Sequence, residues 1–138
     1  MHKGLRVLVV DDERNIRTTL AVCLEGEGCS VVQAATSAEA LAAAAREPVD
    51  LAFLDLRLAQ ESGLDLLPKL VAACPGVAIV VVTAYATIDT AVEAMRRGAA
   101  DYVPKPFTPE QKEAAAKAAK LTVGVTQVDD QITVLKQP

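Results

Sequence analysis

The sequence predicts a doubly wound α/β fold: a five-stranded parallel sheet with helices on both faces. Three observations predict it. Short apolar runs alternate with segments of helical periodicity, five of each along 138 residues. The runs are continuously apolar rather than alternating, as strands buried on both faces must be. The connections between them are short, which suits successive βα units.

Residues 5–10 (LRVLVV) read as a buried strand, β-branched and stopped by two aspartates. Residues 14–27 carry Ile16, Leu20, Cys23 and Leu24 at helical spacing, and Gly26 and Gly28 end the run. Residues 30–34 form a second strand. Ser37 is the expected N-cap of an Ala-rich helix that stops before Pro48. Residues 50–54 (DLAFL) form a third strand, and residues 63–73 a helix that Pro68 weakens or kinks. Residues 77–82 (VAIVVV) are the most hydrophobic strand. Residues 87–97 are helical and end at Gly98, where a left-handed cap is expected. Residues 101–103 form a fifth strand. Thr108, Pro109 and Glu110 then supply an N-cap, a first-turn proline and an early acid for a fifth helix. Short connections make the flavodoxin-like strand order the natural one.

Composition narrows the function. The formal net charge of -4 gives no electrostatic footprint for nucleic acid, so direct nucleic-acid contact by this chain is not expected. Cys23, Cys29 and Cys74 are odd in number, contain no CxxC pair, and read as reduced, buried residues. A zinc site is not expected, because the only histidine is His2. No stretch approaches the length of a membrane span, and the first apolar run is too short for a signal peptide, which places the protein in the cytoplasm.

The chemistry-bearing residues fall at the carboxyl ends of the strands, the edge where such sheets bind ligands. Asp11 and Asp12 follow the first strand, Asp55 the third, Thr83 the fourth and Lys105 the fifth. Taken singly, an aspartate after a strand is often a helix cap, and a lysine between prolines a surface charge. Five residues, each at a strand end, make a constellation. Crowded carboxylates repel one another unless a cation neutralises them. Oxygen-only ligands point to Mg2+ or Mn2+. A lysine and a threonine hydroxyl add charge and a donor suited to a phosphoryl group in transfer. A carboxylate beside such an ion can accept that group.

Four segments, VLVVDDE at 7–13, LAFLDLRL at 51–58, VVVTAYA at 80–86 and DYVPKPF at 101–107, resemble the response-regulator receiver domains of two-component signalling. The resemblance covers residue 5 to about residue 112 and implies a CheY-like fold. It implies that Asp55 is the phosphoacceptor and that Asp12 binds Mg2+ directly. Asp11 would bind directly or through water, with the Arg57 backbone carbonyl completing the protein ligands. Lys105 would pair with phosphoryl oxygens, Thr83 would be the switch hydroxyl, and Tyr102 the coupled rotating aromatic. Pro106 marks a cis Lys-Pro bond in the family. The implied activity is Mg-dependent self-phosphorylation and self-dephosphorylation, not turnover of a separate substrate. After the phosphoacceptor the family often has Met-Pro-Gly-Met-Asp-Gly; here Leu58-Ala59-Gln60-Glu61-Ser62-Gly63 keeps the length and lacks the proline. The run TAYATIDTAVEAMRRGAADYVPKPF at 83–107 most resembles the NtrC-like class. That class implies a sensor histidine kinase as partner. It also implies a downstream ATPase acting on sigma-54 polymerase and a DNA-binding domain, neither present in this chain.

Other readings are weaker on the residues. A phosphatase with an aspartyl nucleophile usually shows Asp-x-Asp, whereas Leu56-Arg57 follows Asp55. A dinucleotide-binding module needs a Gly-rich turn where Asp11-Asp12-Glu13 stands. A dimerisation module with vestigial phosphorylation remains the alternative. Residues 1–112 are expected to form the receiver and 113–138 a linker helix. In the latter, Leu121, Val125, Val128, Ile132 and Leu135 continue a heptad seam that would make a homodimer by coiled coil. Gly124 and the β-branched residues around it leave a β-hairpin turning at Asp129-Asp130, or a disordered tail, as the competing readings. The EAAAK at 113–117 favours a helix at its start.

Overall fold

The computed structural model describes residues 4–84 and 86–105. Five strands form one parallel sheet: β1 (Arg6–Val10), β2 (Ser30–Ala34), β3 (Leu51–Leu54), β6 (Ala78–Thr83) and β7 (Asp101–Pro104). Their spatial order is β2-β1-β3-β6-β7, every pairing parallel. Four helices lie between them: α1 (Arg14–Gly26), α2 (Ser37–Arg46), α3 (Gly63–Ala73) and α4 (Ile88–Arg96). The doubly wound order expected from short connections is the one observed.

Successive strand side chains point to opposite faces. Val7, Val9, Leu51, Phe53, Val80, Val82 and Val103 therefore build one core, under Leu20 and Leu24 of α1. Leu8, Val10, Ala52, Leu54, Ile79 and Val81 build the other, under α2, α3 and α4. Both faces are covered, so the central strands are apolar except at their ends, with Arg6 opening β1 and Thr83 closing β6. β3 and β6 are buried throughout. Full burial of each Val, Leu or Ile is worth roughly 1.5–3 kcal/mol.

Three local findings differ from expectation. Thr36, not Ser37, caps α2: Thr36 has extended backbone, and its hydroxyl accepts the Glu39 N–H at 3.1 Å. Pro68 sits inside α3, which stays one continuous helix. A proline has no N–H for the carbonyl four residues back. That carbonyl, of Leu64, accepts instead from Arg97 Nη1 at 2.9 Å. Arg97 also pairs with Asp65 and Glu93, tying the end of α4 to α3. Finally, residues 57–62, to which the sequence assigns no element, carry two short strands. β4 (Arg57–Leu58) and β5 (Glu61–Ser62) form a small antiparallel hairpin closed by Ala59 at φ 54°.

The ends of the elements are close to those expected. Gly28 and Gly98 follow α1 and α4 at φ 91° and 114°, the left-handed positions a glycine tolerates. β6 runs one residue further than the apolar run, which makes Thr83 its last residue. The fifth helix from Thr108, the Lys105–Pro106 peptide bond, and the seam of Leu121, Val125, Val128, Ile132 and Leu135 lie outside the described residues.

Candidate functional site at the carboxyl edge of the sheet

The parallel sheet delivers its strand ends to one edge. Asp11 leaves β1 with its N–H on the Ala34 carbonyl at 3.1 Å, and Asp55 leaves β3 with its N–H on the Val10 carbonyl at 2.9 Å. Lys105 leaves β7 with its N–H on the Thr83 carbonyl at 2.8 Å. Ladder-type hydrogen bonds thus set the positions of three charged residues. Asp11 and Asp55 are buried, as is Thr83, while Asp12 is exposed.

Lys105 Nζ joins the buried pair. It donates to Asp11 Oδ2 at 2.7 Å and to Asp55 Oδ2 at 2.9 Å, and its side chain is 4% exposed. Glu13 Oε1 lies further out, at 3.7 Å. Each of the three aspartates also accepts a backbone N–H: Asp11 from Glu13 at 2.9 Å, Asp12 from Ala59 at 2.9 Å and Asp55 from Arg57 at 3.2 Å. Burial pushes the Asp11 carboxyl above the usual carboxylate range, against the Lys105 hydrogen bond and the Glu13 N–H. Burial also opposes the charge of Lys105, but its hydrogen bonds to Asp11 and Asp55 prevail and raise its pKa.

Asp11, Asp12 and Asp55 offer one oxygen each, all within 4.8 Å of one another. Asp12 and Asp55 open on a cleft of about 350 Å3 that Glu13, Arg57, Ala59, Ala84 and Lys105 also line, with Asp11 buried behind it on Lys105. Three carboxylate oxygens at that spacing fit a hard divalent cation.

Gly63 brings α3 against this site. A Cβ there would collide with the Asp55 carbonyl oxygen and come within 2.8 Å of Leu56 Cα. Tyr102 and Thr83 occupy adjacent strands on the α3 and α4 side of the sheet, by the alternation of side chains. The Tyr102 hydroxyl is 2.6 Å from Thr90 Oγ1 and accepts the Thr87 N–H at 3.4 Å. Thr87 and Thr90 form the capping box of α4, so the ring is bound to that helix's first turn. Sequence reading named Tyr102 and missed Thr90, although Thr87-x-x-Thr90 ahead of an apolar run is a capping signal. It also missed the Ala59 amide, for which side-chain identity gives no signal.

The fold and the acidic edge define a receiver. The chain belongs to the response regulator receiver domain family, whose sequence profile matches residues 7–117. It is a receiver domain of a two-component response regulator. It is 42% identical over 131 residues to the alginate biosynthesis transcriptional regulatory protein AlgB of Pseudomonas aeruginosa, covering 92% of this chain and 29% of that protein. It is 34% identical over 118 residues to the transcriptional regulatory protein ZraR of Escherichia coli, covering 86% of this chain and 27% of that protein. The chain thus spans less than a third of either regulator. Among solved structures it resembles a response regulator from Burkholderia pseudomallei with a phosphorylated aspartic acid, calcium ion and citrate. There the TM-score is 0.78 at 34% identity, covering 97% of this chain and 76% of that one. The receiver domain of NtrX from Brucella abortus, representing the NtrC-like class, gives 0.73 at 37% identity over 82% of this chain and 96% of that one. Among the described residues no helix is long and apolar enough to cross a membrane.

Proposed function

We propose that this chain is the phosphoacceptor module of a cytoplasmic transcriptional regulator. In this reading a sensor histidine kinase donates a phosphoryl group to Asp55 in the presence of Mg2+. The observation that carries the reading is Lys105 Nζ on Asp55 Oδ2 at 2.9 Å, beside a cluster in which Asp11, Asp12 and Asp55 bring their oxygens within 4.8 Å of one another.

In the transfer, an Asp55 carboxylate oxygen bonds to phosphorus as the donor's phosphorus–nitrogen bond breaks. The histidine nitrogen leaves with its electron pair and takes a proton. Lys105, already on Asp55, pairs with a phosphoryl oxygen. Asp11, Asp12, Asp55 and the Arg57 carbonyl would hold Mg2+, which supplies neutralising charge for the phosphoryl oxygens. Hydrolysis of the acyl phosphate by water returns the free carboxylate. The Thr83 hydroxyl then reports the new anion, and Tyr102 exchanges its Thr90 partner for the space Thr83 vacates. Two packings of one ring are a bistable element that a local charge can bias.

The receiver occupies residues 1–112 in this proposal, and 113–138 form a linker that pairs two chains through the Leu121–Leu135 seam. The ATPase and DNA-binding domains that respond belong to the longer regulator. AlgB and ZraR, both named as transcriptional regulatory proteins, support that context.

Acetyl phosphate with Mg2+ tests the reading by intact mass. One labile phosphoryl adduct is expected, absent in Asp55→Asn and in excess chelator. An adduct that persists in Asp55→Asn refutes the assignment. Beryllofluoride should also change amide exchange in α4 and β7; saturation without any change there refutes the switch.

A further inference from the structure

Each of the three aspartates accepts one loop amide, but among the described residues only Asp12 has that amide as its sole partner. Asp11 and Asp55 are buried and also held by Lys105. Asp12 is exposed, and among the described residues its side chain has one hydrogen-bond partner, the Ala59 N–H on Oδ2 at 2.9 Å. Among the described residues its other oxygen accepts no bond. An exposed aspartate without that donor would sample several rotamers.

The Ala59 amide reaches Asp12 because of its backbone. Ala59 lies at φ 54°, a conformation rare for a residue with a Cβ. Proline, common at this place in the receivers the sequence resembles, has neither this φ nor an N–H. The hairpin that presents the amide is held on two sides. Leu58 is buried in the core beside α3, and the Glu61 carboxylate accepts the Ser37 N–H at 2.9 Å at the start of α2. The N–H is therefore fixed in place before any ligand arrives.

We propose that the Ala59 amide is a positioning group for the cation site: it pins one oxygen of Asp12 and leaves the other to the ion. This rests on the reading of Asp12 as a metal ligand. Partners that orient a ligand in this way typically contribute 10–100-fold to metal affinity. No phosphoryl chemistry is needed to see the effect.

The test removes that one N–H. The full chain is prepared with an ester in place of the amide between residues 58 and 59, lactate replacing alanine. Mn2+ is titrated by electron paramagnetic resonance and Mg2+ by competition. Thermal unfolding in chelator is recorded beside each titration. The expected result is a Kd raised about tenfold in the ester, recovered by Ala59→Gly, which keeps the N–H. An unchanged Kd in a folded ester variant overturns the inference, provided Asp12→Ala has lost binding. If the ester variant does not fold, exchange of the Ala59 amide proton is compared by NMR in wild type and Asp12→Ala: faster exchange in the variant is expected, and an unchanged rate overturns the inference. Undiminished affinity in Asp12→Ala overturns the underlying reading of the site instead.

Discussion

Replacing Lys105 by Met isolates the charge at the centre of the site. The thioether preserves most of the volume and removes the ammonium. Two buried carboxylates, at 2.7 and 2.9 Å from Nζ, then face each other without a cation. Breaking a buried pair by deleting one partner costs about 3–5 kcal/mol. A proton can take the lysine's place, since burial already raises the Asp11 pKa, so the lower end of that range is expected at neutral pH. For a domain of about 100 residues, 3 kcal/mol lowers the unfolding midpoint by roughly 10 °C or more. Divalent cation should close part of the gap, because it binds the carboxylates left without their ammonium more tightly than those of the wild type, and a tenfold difference in Kd at saturation is about 1.4 kcal/mol. The assay is thermal and urea unfolding of both proteins, in chelator and in Mg2+. Equal stability in chelator, or a gap that Mg2+ leaves untouched, refutes the reasoning.

Other perturbations read other parts of the structure. In chelator, the stability from the raised Lys105 pKa is fully present below 10.5 and is lost as pH rises through the higher folded value. Wild type should therefore converge on Lys105→Met in strong alkali, as urea unfolding across pH would show. The raised Asp11 pKa acts at the other end: its protonated form favours the fold below 3.8, and that contribution is lost as pH rises through the folded value. The same unfolding series should then show the two proteins converging in acid too. Gly63→Ala should destabilise by about 1–3 kcal/mol, the range for overpacking, and slow acetyl-phosphate labelling, because the new methyl displaces the Asp55 backbone. Arg97→Met should leave the Leu64 carbonyl without its donor and speed amide exchange in α4 relative to β6.

Where burial and periodicity speak, the sequence was easy to read. A strand such as β6, buried at every position, cannot hide in a polar pattern, and its last residue announces the functional edge. Asp11, Asp55, Thr83 and Lys105 were legible because topology, not local chemistry, brings strand ends together. The hairpin at 57–62 was not. Two-residue strands carry no period, and Ala59 adopts a backbone that glycine or asparagine would normally signal. Thr36 and Ser37 are neighbouring hydroxyls, and only the backbone turn decides which one caps. Pro68 revealed that the Leu64 carbonyl would lack its helical donor, but nothing local to α3 named Arg97, 33 residues away, as the replacement.

The lysine bridge has a consequence for the lifetime of the chain. Lys105 and Asp11 are 94 residues apart in sequence, so the contact exists only when the sheet is assembled through to β7. An unfolded chain has no such cleft. Whatever occupies it therefore withdraws molecules from the pool that proteases attack, because cleavage of a transiently opened protein follows the open population. Occupancy of this one edge becomes resistance to degradation along the whole domain, and chains with a filled cleft outlive their empty neighbours.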